Sequence, residues 1–262
     1  MFNSIELPSN NNYSLYFVPK GVGKWRKITA PSEELKSFQK KLMERLEEIP
    51  VHDSAHGFVK GKSISTNAYP HVKKRFVLSM DMKDFFPSIK KDMVESIFEF
   101  HQIDKKYVDY VLFDGGLPQG SPCSPAISNL YCYDLDTELS YYAKENNLEY
   151  TRYADDITIS GEKFSPDIIR TVKRIVKRHR LSVHPKKTKV MWRNQRQIVT
   201  GVIVNDKLNM PIEKRKKMRA LNHQYSSLPV SQKRVLAGLK GFDTSIKNGK
   251  NKMEERWELI ST

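Results

Sequence analysis

The most regular pattern in the chain lies at 166–180. Ile168, Ile169, Val172, Ile175 and Val176 recur at helical spacing while Arg170, Lys173, Arg174, Lys177 and Arg178 cover the other side, which predicts an amphipathic helix. Similar periodicity predicts helices at 33–48, 91–101, 211–224 and 231–241. Short runs of β-branched and aromatic residues at 75–80, 157–160 and 198–204 predict strands. The Ser/Pro stretch at 226–232 and the polar stretch at 247–252 predict connectors within a C-terminal helical module. Strands mixed with helices, in no strict βαβ alternation, point to an α+β fold. No internal repeat is visible, which excludes a solenoid.

Composition adds a class to this outline. With 262 residues, 39% hydrophobic and 10% aromatic, the chain can bury a sizeable core, and a mean hydropathy of −0.59 leaves a charged surface. The net charge is +15, which attracts polyanions, nucleic acid before an anionic membrane. The excess is uneven. Residues 163–198 hold 12 Lys and Arg against one acid, residues 206–262 hold 13 against 6, and the first 162 residues come to −3. A near-neutral catalytic half followed by a nucleic-acid-gripping half is the expectation. The basic side of the 166–180 helix reads either as a solvated outer face or as a surface for RNA. No run of 18 apolar residues exists, and residues 1–10 lack the basic-then-apolar order of a secretory signal. Cys123 and Cys132 have no second pair to complete a zinc site. These features predict a cytoplasmic protein with reduced thiols and no membrane partner.

Two segments place carboxylates where a packed strand should not tolerate them. An apolar run from Phe76 ends in Asp81, and Asp155 and Asp156 sit side by side between strand-forming residues. Adjacent like charges repel and must be desolvated, and a divalent cation is the simplest compensation. In extended backbone Asp155 and Asp156 would point to opposite faces, so a tight turn between two strands is needed to bring them together. A hairpin tip beside the strand ending at Asp81 would gather three hard oxygen donors, suited to two Mg²⁺ ions, with Mn²⁺ a possible substitute. Taken alone, the Asp155–Asp156 pair also fits an ordinary turn.

Longer motifs favour the catalytic reading. Tyr153-Ala154-Asp155-Asp156 resembles the active-site box of reverse transcriptases, and Asp81 with its flanks resembles their first carboxylate motif. Leu117-Pro118-Gln119-Gly120-Ser121-Pro122 matches the segment lining the nucleotide pocket. Lys24-Trp25-Arg26-Lys27-Ile28 is similar to the motif that contacts the triphosphate, and His184-Pro185-Lys186-Lys187-Thr188 to the motif whose lysine protonates pyrophosphate. These motifs stand in family order over about residues 20–205. Asn67-Ala68-Tyr69-Pro70-His71 and Val199-Thr200-Gly201 further resemble the NAxxH and VTG elements of retron-type bacterial reverse transcriptases.

The resemblance implies a right-hand polymerase: fingers from 1–75 and 90–120, a palm with an antiparallel sheet from 76–89 and 121–205, and a helical thumb from 206–262. Asp81, Asp155, Asp156 and the Met82 backbone would hold the metals, with Lys187 or its neighbour Lys186 as general acid. Arg26, Gln119 and Gly120 would meet the nucleotide. Phe86 would exclude a ribose 2′-OH, unless it is a core ring and Phe85 faces the site. Lys60 and Lys62 would track template backbone. Asn67, His71, Val199, Thr200 and Gly201 would recognise the cognate RNA. Lys214, Arg215, Lys216 and Arg219 would grip the duplex by phosphate contact. Implied partners are a noncoding RNA, its RNA–DNA hybrid product, dNTPs and an effector protein, in an antiphage role. The product would be multicopy DNA primed from a 2′-OH of that RNA. Other bacterial reverse transcriptases, an RNA-dependent RNA polymerase and a catalytically silent RNA-binding scaffold are the alternatives. Gly57 to Ser63 mimics a phosphate-binding loop but has three spacers where four are needed, so no ATPase is read there.

Overall fold

The computed structural model describes residues 5–21 and 23–261; the side chains of Lys20, Lys24 and residues 250–261 lie outside that description. The Lys24 side chain of the triphosphate motif and the outermost ends of the expected fingers and thumb therefore lie outside the described residues. An antiparallel hairpin, β1 (Tyr13–Gly21) and β2 (Lys24–Pro31), leads into α1 (Glu33–Leu46). Ser32 caps α1 by accepting from the Leu35 N–H, and Glu33 and Glu34 sit at its positive end. Short α2 (Ile64–Ala68) opens with a capping box between Ser63 and Thr66. There follow β3 (Phe76–Met82), α3 (Phe85–Ser88), α4 (Lys91–Phe100), α5 (Ser124–Tyr131) and α6 (Tyr133–Glu145). Next come β4 (Glu149–Tyr153), β5 (Asp156–Gly161), α7 (Pro166–Arg178) and β6 (Val183–Trp192). A small hairpin, β7 (Ile198–Val199) and β8 (Val202–Ile203), precedes α8 (Ile212–His223) and α9 (Val230–Ser261).

The central sheet runs β4-β5-β3-β6, antiparallel throughout, so the fold is α+β. Alternation along each strand sorts its two faces. Phe76, Leu78 and Met80 of β3 and Ile157 and Ile159 of β5 join the large core with α1 and α4 to α7. Val77 turns the other way, into a smaller core with Met191, Val199, Val202, Val204, Leu208, Met210 and Ile246. Ser79 and Asp81 share that second face by the same alternation. Both cysteines are buried free thiols. Among the described residues no helix is long and apolar enough to cross a membrane.

Two expectations need correction, and one strand was not foreseen. Residues 198–204 are not one strand: Thr200 and Gly201 take left-handed backbone at φ 46° and 81°, so the run folds back as β7–β8. Residues 247–252 are not a connector but lie inside α9, where buried Ile246 and Gly249 hold the helix against the body. A Cβ on Gly249 would come within 2.3 Å of the Ser65 Cβ, so this glycine marks a close approach to α2 rather than a break. Strand β6 gave no strand signal because Pro185, Lys186, Lys187 and Lys189 interrupt it; as an edge strand it can keep such residues in water.

Candidate active site

The β4–β5 hairpin closes with Tyr153 opposite Asp156, leaving Ala154 and Asp155 as a two-residue loop. Ala154 has φ 56°, the left-handed value that such a turn demands and a side chain resists. On the other side of β5, Asp156 stands directly opposite Asp81 of β3. Directly opposed residues of antiparallel strands project on one face about 4.5–5.5 Å apart at Cβ. The Met82 N–H donates to the Asp155 carbonyl at 2.9 Å, stitching the turn to the end of β3. Three acidic residues from two distant parts of the chain are thus brought to one end of the sheet.

Lys187 reaches them from β6. Its ammonium donates to both Asp81 oxygens, at 2.7 and 2.8 Å. Of the two exposed lysines left open by the sequence, Lys187 is the one engaged at the carboxylates. Burial, then the Asp155 charge, then the Asp81 charge push the Asp156 carboxyl up to about 6, against an opposing pull from Lys187. Among the described residues no group of three or more His, Cys, Asp or Glu side chains is gathered tightly enough to hold an ion. The donor set still suits a hard divalent cation: all ligands are carboxylate oxygens, their charges repel, and an ammonium already stands where positive charge is needed.

The remaining expected residues fall into two groups. One faces the open side. Arg26 is exposed on β2, and the Thr29 N–H of that strand donates to the Gln119 carbonyl at 2.8 Å, so the Pro-Gln-Gly turn docks on the first hairpin. A Cβ on Gly120 would meet the Thr29 carbonyl oxygen at 2.5 Å, which explains a glycine there. Phe85 is the core ring; Phe86 is half-buried, with its centroid 6.3 Å from that of exposed Phe58. Lys60 is exposed and pairs with Glu47 at 2.9 Å.

The other group is buried or partly covered, with Asn67, His71 and Val199 turned inward. His71 has no exposed surface. Its Nδ1 lies 2.7 Å from the Ser160 hydroxyl and its Nε2 2.8 Å from the Thr151 hydroxyl, so it clamps both strands of the hairpin. Asn67 is equally buried and its amide donates to the Thr200 hydroxyl at 3.4 Å, while that hydroxyl donates to the Ile64 carbonyl. Val199 belongs to the smaller core. The two short elements therefore brace one another. Thr200 and Gly201 are only partly exposed. Lys62 is mostly covered and donates to the Asp53 carbonyl, fastening its own loop. In that loop Gly57 packs on the β4–β5 turn, where a Cβ would strike the Ala154 nitrogen at 2.4 Å.

Sequence reasoning missed Arg152, Asp136 and Asn129, which lie buried behind the turn. The only signal was a charged residue inside a β-forming run, and its partner Asp136 lies sixteen positions earlier, on a helix.

Residues 18–224 match the family model described as reverse transcriptase (RNA-dependent DNA polymerase). The chain is 35% identical to the retron Mx162 reverse transcriptase of Myxococcus xanthus, over 76% of this chain and 48% of that protein. To the retron Ec86 reverse transcriptase of Escherichia coli it is 34% identical, over 80% of this chain and 69% of the relative. The chain spans about half the length of the two Myxococcus relatives, Mx162 and Mx65. Among solved structures, a foamy viral protease–reverse transcriptase bound to double-stranded DNA superposes with a TM-score of 0.57 at 18% identity, over 90% of this chain and 37% of that one. An apo telomerase from Candida tropicalis gives 0.53 at 13%, over 79% and 56%. At such identities these two speak for the fold alone.

Proposed function

Because the chain belongs to the reverse transcriptase family, and within it to the retron type, we propose that it is an RNA-directed DNA polymerase that copies a structured noncoding RNA into single-stranded DNA. The observation that carries this reading is the register that sets Asp81 against Asp156 beside a two-residue turn bearing Asp155. Family membership supports the finer points: priming from a 2′-OH, a multicopy product linked to its RNA, an antiphage role and an effector partner.

Each side chain has a task in this reading. Asp81, Asp155 and Asp156, with the Met82 backbone, would hold two Mg²⁺ ions, or Mn²⁺ in their place, which supply charge neutralisation for 3′-OH attack on the α-phosphate of a dNTP. Lys187 neutralises Asp81 beforehand, and its long stem lets the ammonium turn to the departing pyrophosphate as proton donor. Arg26 forks onto the triphosphate, with the Gln119 amide and the close backbone of Gly120 completing the pocket. Phe86, the half-buried ring of the Phe85–Phe86 pair, would reject a 2′-OH. Fingers would take 1–75 and 90–120, the palm 76–89 and 121–205, and the thumb 206–262. Lys60, exposed within the expected fingers, would track the template backbone. The exposed positive face of α8 would hold the hybrid by its phosphates.

Primer extension on an RNA template with Mg²⁺ tests the reading. Asp155→Asn and Asp156→Asn are each expected to lower extension by about a thousandfold while hybrid binding stays within about twofold. A wild-type chain that binds hybrid but extends nothing would leave the silent scaffold standing. Sequencing the nucleic acid that copurifies with the protein should return a branched RNA–DNA species; RNA alone would count against the retron product.

A further inference from the structure

Behind the catalytic turn, on the large-core face of the sheet, lies a buried polar cluster that takes no part in the mechanism above. Arg152, on β4, has no exposed surface. Its Nε and Nη2 donate to the two oxygens of Asp136 on α6, at 2.8 and 2.7 Å. Its Nη1 donates to Asn129 Oδ1 on α5 at 3.1 Å and to the Ala154 carbonyl at 3.0 Å. Four hydrogen bonds thus use one rigid guanidinium, a geometry that a lysine cannot copy. The cluster is closed around its rim: the Tyr150 hydroxyl donates to Asp136 at 2.6 Å, and the Asn129 amide donates to the Gly57 carbonyl at 2.9 Å.

The bond to Ala154 is the informative one. That carbonyl belongs to the peptide bond leading into Asp155, at a residue held in left-handed backbone. The Asp155 carbonyl, one peptide later, is held by the Met82 N–H. Both peptide planes flanking Asp155 are therefore pinned, one by Arg152 and one by β3. Rotation about the intervening bonds is what would swing the Asp155 side chain away from Asp81 and Asp156. Gly57 packs against the same turn so closely that even a methyl group would displace the Ala154 nitrogen.

We propose that Arg152, held by Asp136 and Asn129, is a positioning residue that fixes the orientation of the Asp155 carboxylate for nucleotidyl transfer. The inference rests on the polymerase reading above. A buried ion pair can often be exchanged for apolar residues of similar volume without loss of stability, which separates positioning from folding. The test is the triple variant Arg152→Met, Asp136→Leu, Tyr150→Phe, which removes the pair and strands no tyrosine hydroxyl.

It is expected to melt within a few degrees of wild type and to bind hybrid and dNTP within about threefold. Its kcat should fall about thirtyfold or more, and the Met82 amide should exchange hydrogen at least about tenfold faster as the turn loosens. A folded variant with wild-type kcat, or with the Met82 amide as protected as before, overturns the proposal. Should the triple variant not fold, Arg152→Lys carries the test: it keeps the charge but cannot span Asp136 and Ala154 together. Full kcat in that variant would also overturn the proposal. A wild-type chain inert in the same assay brings down the polymerase reading and this inference with it, whereas an active wild type beside an equally active variant removes only the inference.

Discussion

The β4–β5 hairpin and helix α8 handle charge in opposite ways. Around the hairpin, Arg152 and Asp136 are sealed from solvent on one face and His71 is sealed on the other. Helix α8 buries none of its residues; its Glu213 meets Arg196 in an exposed pair at 2.6 Å, and its Lys214 lies over the Phe242 ring at 4.2 Å. The hairpin gives up hydration to fix directions, as a site that must present carboxylates at set angles requires. The helix keeps hydration, which in the proposed reading leaves cations available to a phosphate backbone of variable sequence.

The sharpest way to break this comparison is to remove one acid from each region. Asp136→Ala leaves the Arg152 guanidinium buried without its counter-charge and should cost about 3–5 kcal/mol of unfolding free energy. Glu213→Ala removes an exposed partner and should cost no more than ~0.5 kcal/mol. Urea unfolding of the two variants checks both. Equal losses would mean that Arg152 and Asp136 are not a desolvated pair.

How much of this was legible beforehand follows from the same contrast. Asp81, Asp155 and Asp156 stood out because acids inside β-forming runs contradict the local pattern, and the helices at 91–101 and 166–180 because their apolar stripes are regular. Arg152 did not stand out, since an arginine in a strand reads the same whether it meets water or a buried acid sixteen positions away. His71 was visible as part of a motif, but its direction was not. Whether a histidine faces RNA or the underside of a hairpin depends on how α2 and the following turn sit on the sheet, which no local spacing encodes.

Two groups at the hairpin should also give opposite pH signatures. Burial, then the nearby His56 and Lys74 charges, hold His71 down at about 3, so the folded protein keeps it neutral where the unfolded chain protonates it. Stability is therefore lost as pH falls below about 6.5, by about 2 kcal/mol between pH 7 and 5. Asp156 is raised to about 6, so its ionisation opposes folding as pH rises from about 4 through 6. After allowance for its partial exposure to solvent, this amounts to ~1–2 kcal/mol. His71→Gln should flatten the acid side of the stability profile, and Asp156→Asn should stabilise the protein at pH 8 but not at pH 4. Denaturant titrations at pH 4, 5, 7 and 8 read both; parallel profiles for wild type and variants would refute the assigned burial costs.

The smallest effect is expected where charge is most abundant. Arg215, Lys216 and Arg219 lie on α8, none of whose residues is buried. Replacing all three with Gln should leave the melting temperature nearly unchanged, because surface substitutions of this kind stay within about 0.5 kcal/mol each. Hybrid binding should weaken about tenfold near physiological salt, and the slope of log affinity against log salt should shallow by about 2–3, one released counterion for each phosphate no longer neutralised. At saturating hybrid kcat should hold, since the substitutions touch neither the carboxylates nor the turn behind them. A kcat loss at saturation would show that α8 helps to set the primer end as well as to hold the duplex, and the division between a directing hairpin and a gripping helix would have to be redrawn.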